Sequence, residues 1–412
     1  MPKERIYIEN FAGIKKLEMD FSDVNLIIGP QASGKSVTVK LLYFFKSFFN
    51  EILIEILNGK SKSDIDKGQK EKFIRYFPRE SWPRSSFEIE YSINDSFLKV
   101  SKLPSAKNIV FTYSESVEGL IKDSQNYVKA RPEESMKGFI SEVVYSNELD
   151  DLIEQKISNQ GLFDQLFVPA GRSFFSSFQS TIFSIIKQNI PLDPFLIEFG
   201  SYYENVRGRK IQKSKQKRNQ GFYELVDEIL CGEYIREKGK DFLFHNDERK
   251  VNLSHASSGQ QEILPLLLVL NSFINNPTLG NGITLYIEEP EAHLFPIAQK
   301  RIVQLLARII NEGNCKFQII VTTHSPYILT AFNNLVQAGK LKASKEISND
   351  QLFKIIPEKE IINPNLVRAY SMKNGRKENI IDNENQLISQ NILDSVSNEI
   401  AKEFGDLLDL EF

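Results

Sequence analysis

A glycine-containing segment near the N-terminus has the residue types and spacing that bind phosphate groups. Gly29 to Ser36 (GPQASGKS) has a glycine, four variable residues, then Gly, Lys and Ser, between an apolar strand-like stretch and a helical pattern. The glycines let backbone N–H groups point inward at phosphate oxygens, and Lys35 would reach the β- and γ-phosphates. The Ser36 hydroxyl would bind the Mg²⁺ that bridges those phosphates. The predicted ATP-binding residues here are Gly29, Pro30, Gln31, Ala32, Ser33, Gly34, Lys35, Ser36 and Val37.

Consecutive carboxylates end a second apolar strand and would complete the chemistry of such a site. The segment 283–287 is followed by Glu288, Glu289 and Pro290, at the strand end where open α/β sheets bind ligands. Neighbouring acids repel each other unless a cation lies nearby, so Glu288 is predicted to hold Mg²⁺. Glu289 is predicted to activate the attacking water. Most phosphate-loop proteins have the shorter Asp in place of Glu288, so the longer side chain would weaken or shift the metal.

A third motif, SSGQ, precedes a strongly apolar helix. Helix N-termini attract anions, and the chain already has a complete phosphate loop. The motif is therefore best explained by contact with a γ-phosphate that another subunit holds. Its residues are Ser257, Ser258, Gly259 and Gln260. They also suit an ordinary helix cap, an interpretation that the sequence leaves open.

Two single residues are assigned to the site by their positions. His324 follows the strand-like segment 317–321 and so lies at the same predicted sheet edge as the acids, where it would assist catalysis. A structural histidine is the alternative. Arg172 ends the segment 162–172 (LFDQLFVPAGR), a buried strand followed by a loop of the kind that often carries function. It is predicted to contact phosphate or to couple two lobes, with a surface salt bridge as the alternative.

Composition excludes several classes of protein. With 412 residues, 41% of them hydrophobic and 25% charged, the chain can bury a sizeable core in one large unit with an insertion or in two domains. Cys231 and Cys315 each lack a nearby cysteine partner, which argues against a disulfide scaffold and a cysteine zinc site. The longest apolar run, 263–273, is about half as long as a membrane span. A soluble, cytoplasmic protein without membrane association is expected.

Alternating strands and helices predict an α/β fold with a parallel sheet flanked by helices. The predicted units are an N-terminal lobe (1–57), an inserted, mainly helical lobe (58–160), a second ATPase lobe (161–346) and a C-terminal tail (347–412) that would dock an effector.

The run 207–218 holds seven basic residues and no acid, in a chain of net charge −3. It would contact nucleic acid or form a solvated loop.

The motifs GPQASGKS, SSGQQE, YIEEPEAHL and VTTHSP, in this order after IENFAGIKKLEMDF, resemble those of a known family. They are similar to the ABC-type ATPase heads of the SMC, RecF and OLD family, particularly AAA-family ATPases of bacterial anti-phage defence operons. The resemblance spans about residues 5–55 and 160–330. It implies a two-lobed P-loop head that dimerises around two ATP molecules. Each ATP would lie between the phosphate loop of one subunit (Walker A, GPQASGKS) and the signature segment of the other (SSGQQE).

The resemblance also implies roles for individual residues. Ser257 and Gly259 would be signature contacts in trans, Glu288 the Walker B acid, Glu289 the catalytic glutamate, 291–294 the D-loop and His324 the switch histidine. One element departs from the family, whose heads place a glutamine after a strand between Walker A and the signature. Here 168–172 (VPAGR) occupies that place, with Gln165 and Gln179 nearby.

The leading functional hypothesis is an ATPase dimer or higher homo-oligomer that senses or clamps nucleic acid or a foreign protein and controls an effector, such as a nuclease, in anti-phage defence. OLD nucleases carry a Toprim domain after the head. Here only residues 325–412 follow His324, and Asp406 and Asp409 lack the DxD spacing of that domain. The alternative is a RecF-like DNA-repair or DNA-maintenance ATPase. A transporter ATPase is disfavoured by the N-terminal hairpin, the EEPEAHL turn and the large middle insertion.

Overall fold

The computed structural model describes residues 3–130, 139–177, 192–207, 219–275, 280–389 and 401–407. Its central sheet has six strands. In spatial order they are β14 (Arg376–Asn379), β13 (Val367–Lys373), β3 (Val24–Ile28), β12 (Lys316–Thr323), β11 (Gly282–Glu288) and β7 (Asp164–Val168). The five strands from β13 to β7 are parallel, and β14 is antiparallel to β13. The carboxyl ends of the parallel strands therefore meet at one sheet edge, as predicted.

The described residues also form two antiparallel sheets. The larger has the order β2 (Ile14–Phe21), β1 (Glu4–Phe11), β4 (Phe87–Ile93), β5 (Ser96–Lys102) and β6 (Val110–Tyr113). The smaller has the order β10 (Lys250–Asn252), β9 (Lys240–Phe244) and β8 (Glu233–Glu237). Alternate residues of β4 and β5 are buried, the pattern of strands with one face on a core. Every residue of β3 and β11 is buried, because helices cover both faces of a parallel sheet.

Eleven helices are described in the ranges given above. They are α1 (Lys35–Leu57), α2 (Lys62–Tyr76), α3 (Glu115–Lys129), α4 (Phe139–Lys156), α5 (Ser173–Ser177), α6 (Pro194–Arg207), α7 (Gln220–Leu230), α8 (Ser258–Asn275), α9 (Pro296–Glu312), α10 (Pro326–Ser344) and α11 (Asn349–Phe353). Within the described part of the chain, none of the helices combines the length and the apolar character needed to span a bilayer.

The predicted α/β fold is confirmed, including the strand, glycine loop and helix formed by β3, the phosphate loop and α1. The segment 58–160 supplies helices α2 to α4 and also strands β4 to β6. Strand β4 pairs with β1, so this segment extends the N-terminal sheet. The C-terminal region from residue 347 likewise supplies β13, which pairs with β3 beside the phosphate loop. The domain boundaries given above stay predictions.

A buried ion pair joins the two larger sheets beneath α1. The Lys46 ammonium donates to Glu4 Oε1 and to Gln318 Oε1, both at 2.6 Å, and Tyr91 donates to the same Glu4 oxygen at 2.9 Å. Both charged side chains are 1% exposed. Burial lowers the pKa of Lys46, and the negative charge of Glu4 opposes that shift. The helix that follows the phosphate loop is thus fixed to β1 and β12 by one charged network.

Replacing Lys46 with Met is expected to lower the free energy of unfolding by about 3–5 kcal/mol, because Glu4 would be left as an unpaired buried charge. Urea unfolding measures the change. The matched control is Lys40→Met on the same helix, whose ion pair with Asp193 is partly exposed and should contribute under about 1 kcal/mol. Equal losses in the two variants would contradict the assignment.

Candidate functional site

The phosphate loop, Gly29–Ser36, has a backbone that only glycine allows at two positions. Gly34, the N-cap of α1, has a left-handed φ of +100°. A Cβ atom at Gly29 would lie 2.2 Å from the backbone oxygen of Met372 in β13. The C-terminal strand therefore supports the phosphate loop directly, a contact that sequence reasoning missed because it treated this region as a tail.

Lys35 lies at the centre of the loop and is 5% exposed. Its Nζ donates to the carbonyl oxygens of Gly29 at 2.7 Å and Pro30 at 2.9 Å, and lies 3.3 Å from His324 Nε2. Burial lowers the pKa of Lys35, while the charges of Glu289, then Glu291 and Glu288, oppose that shift. The phosphate loop and the predicted acidic motif are therefore neighbours, as the sequence predicts.

The two predicted catalytic carboxylates differ in their surroundings. Glu288 is 6% exposed, and its Oε2 accepts a long hydrogen bond from Ala170 N at 3.4 Å. Glu288 Oε1 is buried without a hydrogen-bond partner, as is Ser33 Oγ in the phosphate loop. The Glu289 side chain is 39% exposed, has a left-handed φ of 43°, and places Oε1 3.2 Å from His324 Nε2. Glu288 is thus directed into the protein and Glu289 toward solvent.

Glu291 holds the segment that carries His324. One carboxylate oxygen of Glu291 accepts hydrogen bonds from Thr323 Oγ1 at 2.6 Å and from His324 N at 2.7 Å. The other oxygen, Oε2, is buried without a partner. Because Glu291 and Glu289 belong to one turn, this contact fixes the imidazole relative to both Glu289 and Lys35. The resemblance placed Glu291 in the D-loop but gave no sign of this contact.

Residues 257–260 form the start of α8. Ser257 and Gln260 make a capping box: Ser257 Oγ accepts from Gln260 N at 3.3 Å, and Gln260 Oε1 accepts from Ser257 N at 3.1 Å. The helix-cap interpretation is therefore confirmed. Ser257 and Ser258 are exposed, whereas a Cβ at Gly259 would lie 2.6 Å from His293 O. The exposed helix start is compatible with the predicted contact in trans, which stays a prediction.

Arg172 is 0% exposed, so the alternative of a surface salt bridge is wrong. Its guanidinium donates to the carbonyl oxygens of Pro169 at 3.0 Å, Glu288 at 2.8 Å, Glu289 at 3.0 Å and Glu262 at 3.1 Å. Every guanidinium nitrogen is thus bound to a protein oxygen. Of the two predicted roles, this geometry supports coupling between elements, since no face of the guanidinium is left for phosphate.

Gln165, the described glutamine near the VPAGR loop, does not take the place of the family's missing glutamine. Gln165 lies inside β7, opposite Thr284, and its Oε1 accepts from Tyr286 OH at 2.6 Å. Its side chain is therefore bound within the sheet, before the strand end. Gln179 lies outside the described residues.

The basic run 207–218 is described only at Arg207, which is 3% exposed. Arg207 donates to Asp241 at 2.8 Å and to Glu204 at 2.6 Å. A nucleic-acid contact by Arg207 is therefore wrong, because its charge is buried and neutralised by two acids. The other basic residues of the run lie outside the described residues.

The residues present fit a Mg²⁺ ion held largely by a nucleotide. Among the described residues, no group of three or more His, Cys, Asp or Glu could hold a metal by itself. Mg²⁺ at a nucleotide site needs only one or two protein ligands, because phosphates and water complete its shell. The unpartnered Glu288 Oε1 and the exposed Ser36 hydroxyl suit that need.

The family model described as the AAA ATPase domain matches residues 1–191 and 204–329. No match was found among curated proteins.

Several solved SMC heads align with the chain. The SMC head domain from Thermotoga maritima is 15% identical, with a TM-score of 0.38 over 92% of this chain and 98% of that one. The Smc head of Pyrococcus furiosus with an extended coiled coil, bound to the C-terminal domain of ScpA, is 14% identical, with a TM-score of 0.37 over 97% and 100%. The Smc head of Pyrococcus yayanosii is 12% identical, with a TM-score of 0.40 over 96% and 100%.

The family model covers well over half of the chain and includes every motif of the site described above. The chain belongs to the family of AAA ATPase domains.

Proposed function

We propose that this protein binds and hydrolyses ATP with Mg²⁺, in sites that a second copy of the chain completes. The observation that carries the proposal is the meeting of three separate motifs at one sheet edge. Lys35 Nζ lies 3.3 Å from His324 Nε2, which lies 3.2 Å from Glu289 Oε1. The Lys35 ammonium, the His324 imidazole and the Glu289 carboxylate are therefore close enough together to surround one phosphate group.

The phosphate loop would bind the β- and γ-phosphates through its backbone N–H groups and the positive end of α1, a helix of 23 residues. Lys35 would exchange the two loop carbonyls that it now contacts for phosphate oxygens, which offer a full negative charge. Bound between Ser36 and Glu288, Mg²⁺ would neutralise charge on those phosphates. The buried, unpartnered oxygen of Glu288 supports that assignment.

Glu289 would orient and deprotonate the attacking water. Its carboxylate is partly exposed, whereas Glu288 is buried, so the two neighbouring acids have environments suited to different tasks. His324, held by Glu291, is within hydrogen-bond distance of Glu289 and would fix the carboxylate relative to the γ-phosphate.

The contribution in trans rests on the start of α8. The first turn of this helix exposes Ser257 and Ser258, and N–H groups at a helix start attract phosphate. The chain already has its own phosphate loop, so a second anion-binding helix start is best used by the ATP of a partner. A dimer with two-fold symmetry would then contain two equivalent composite sites.

Removing the Glu291 carboxylate is expected to lower kcat for ATP about 10- to 100-fold while leaving ATP affinity unchanged, since hydrogen bonds to a charged group contribute about 1.5–3 kcal/mol. Glu291→Ala loses both bonds to the His324 segment. Glu291→Gln keeps an oxygen acceptor and should retain most of the activity. Steady-state kinetics and calorimetric ATP titration check this, and a wild-type kcat in Glu291→Ala would disprove the positioning role.

We further propose that the ATP cycle controls a partner effector protein in anti-phage defence. This rests on the motif resemblance to ATPases of defence operons, and the described residues contain no group of His, Cys, Asp or Glu that could hold a nuclease metal ion by itself. The test is to purify Glu289→Gln protein with ATP and Mg²⁺ from its native operon context, and to determine its mass and what co-elutes. Stoichiometric recovery of a neighbouring gene product supports the proposal, whereas preferential binding of DNA junctions without any partner supports the RecF-like alternative.

A further inference from the structure

We propose that Arg172 and Glu262 form a positioning pair that links engagement of the start of α8 to the placement of Glu289. This inference deepens the proposed function and rests on it. Neither residue contacts the substrate in this role. Both act through the backbone of other residues.

One end of the link belongs to α8. Glu262 lies one helical turn after Ser258 and is 1% exposed. Its carboxylate accepts hydrogen bonds from the backbone N–H groups of Arg172 and Ser173, each at 2.8 Å, and lies 3.3 Å from Arg172 Nη2. A carboxylate that binds two successive N–H groups and a guanidinium has little freedom to move independently of them. Any displacement of the first turn of α8 therefore acts on Arg172.

The other end is the turn that carries the catalytic carboxylates. Arg172 donates to the carbonyl oxygen of Glu288 at 2.8 Å and to that of Glu289 at 3.0 Å. Glu289 has a left-handed φ of 43°, which is uncommon for a residue with a side chain and needs support from its surroundings. The rigid, planar guanidinium supplies that support.

Burial makes this pair a strong connection. Arg172 is fully buried, and burial lowers its pKa while the charge of Glu262 opposes the shift most. Separating two buried charges that satisfy each other is strongly unfavourable, so the turn and the helix should move together when α8 is displaced. A second contact supports this, because Gly259 in α8 packs against His293 in the segment that follows Glu291. Binding of a partner's γ-phosphate at α8 would thus change the position of Glu289.

A double-mutant cycle tests the link. Ser258→Ala removes an exposed hydroxyl at the start of α8, and Arg172→Lys keeps the charge but cannot span the four carbonyls. Each single variant is expected to lower kcat about tenfold or more, with ATP affinity by calorimetry near wild type. If the start of α8 acts through Arg172, the double variant should be no slower than the slower single variant. Losses that multiply would overturn the proposal.

The matched control is Arg308→Lys, which alters another buried arginine whose partner, Glu360, lies 2.7 Å away and outside the site. Combined with Ser258→Ala, it should leave kcat at the value of Ser258→Ala alone. Should Arg172→Lys fail to fold, Glu262→Gln replaces it in the cycle, because it preserves the shape of the side chain and removes its charge. If the wild-type protein does not hydrolyse ATP, the proposed function fails. If it does and the cycle is multiplicative, only the present inference fails.

Discussion

Glu289→Gln protein is expected to hydrolyse ATP about 10²–10⁴ times more slowly than the wild type while binding ATP and Mg²⁺ with unchanged affinity. The amide keeps the size of the side chain and its contact distance to His324, but it cannot accept a proton from water. That loss corresponds to about 3–5 kcal/mol of the barrier. Single-turnover hydrolysis and calorimetric titration with ATP separate the two effects.

The control for this variant is Glu248→Gln. Glu248 is also a solvent-accessible glutamate with a positive φ, of 67°, and lies in the turn between β9 and β10. It shares the backbone conformation of Glu289 without being near Lys35 or His324, so its substitution should leave kcat unchanged. A rate above a tenth of wild type for Glu289→Gln would contradict the role of general base.

Slow hydrolysis should also reveal the assembled state. If ATP joins two copies of the chain, Glu289→Gln with ATP and Mg²⁺ should elute as a dimer or larger oligomer. The same protein should be a monomer without nucleotide.

The site was predictable from sequence wherever its chemistry depends on short-range patterns. The phosphate loop needs Gly29, Gly34 and Lys35 at fixed spacing after a strand, because the backbone must turn within a few residues. Glu288 and Glu289 were predictable for the same reason, since they follow an apolar strand directly. The start of α8 supported two interpretations, a helix cap and a phosphate contact in trans. The capping box formed by Ser257 and Gln260 confirms the helix cap.

The residues that hold the site together were not predictable in this way. Glu262 and Arg172 are 90 positions apart in sequence and meet only because α8 packs beside the loop after β7. Strand β13 was missed because its pairing with β3 depends on tertiary contacts and not on any motif. Which buried polar groups pair with each other depends on the whole fold, whereas the backbone geometry of a phosphate-binding motif is determined by its own few residues.

The composite nature of the site can be tested by mixing two inactive variants. Lys35→Ala removes the phosphate-binding cation, and Ser258→Arg places a bulky cation on the exposed start of α8. Each homodimer would have two defective sites. In a mixed dimer, the intact phosphate loop of the Ser258→Arg chain faces the intact α8 start of the Lys35→Ala chain.

An equimolar mixture is expected to recover about a quarter of wild-type activity, because half of the dimers in a two-fold arrangement are mixed and each has one intact site. ATP turnover of the mixture and of each variant alone measures the recovery. Asn349→Arg is the matched control, since it places arginine at the exposed first residue of α11, and it should be as active as the wild type. A mixture no more active than its components would show that the start of α8 is not used in trans. Wild-type specific activity that stays constant on extreme dilution would mean that a single chain hydrolyses ATP on its own.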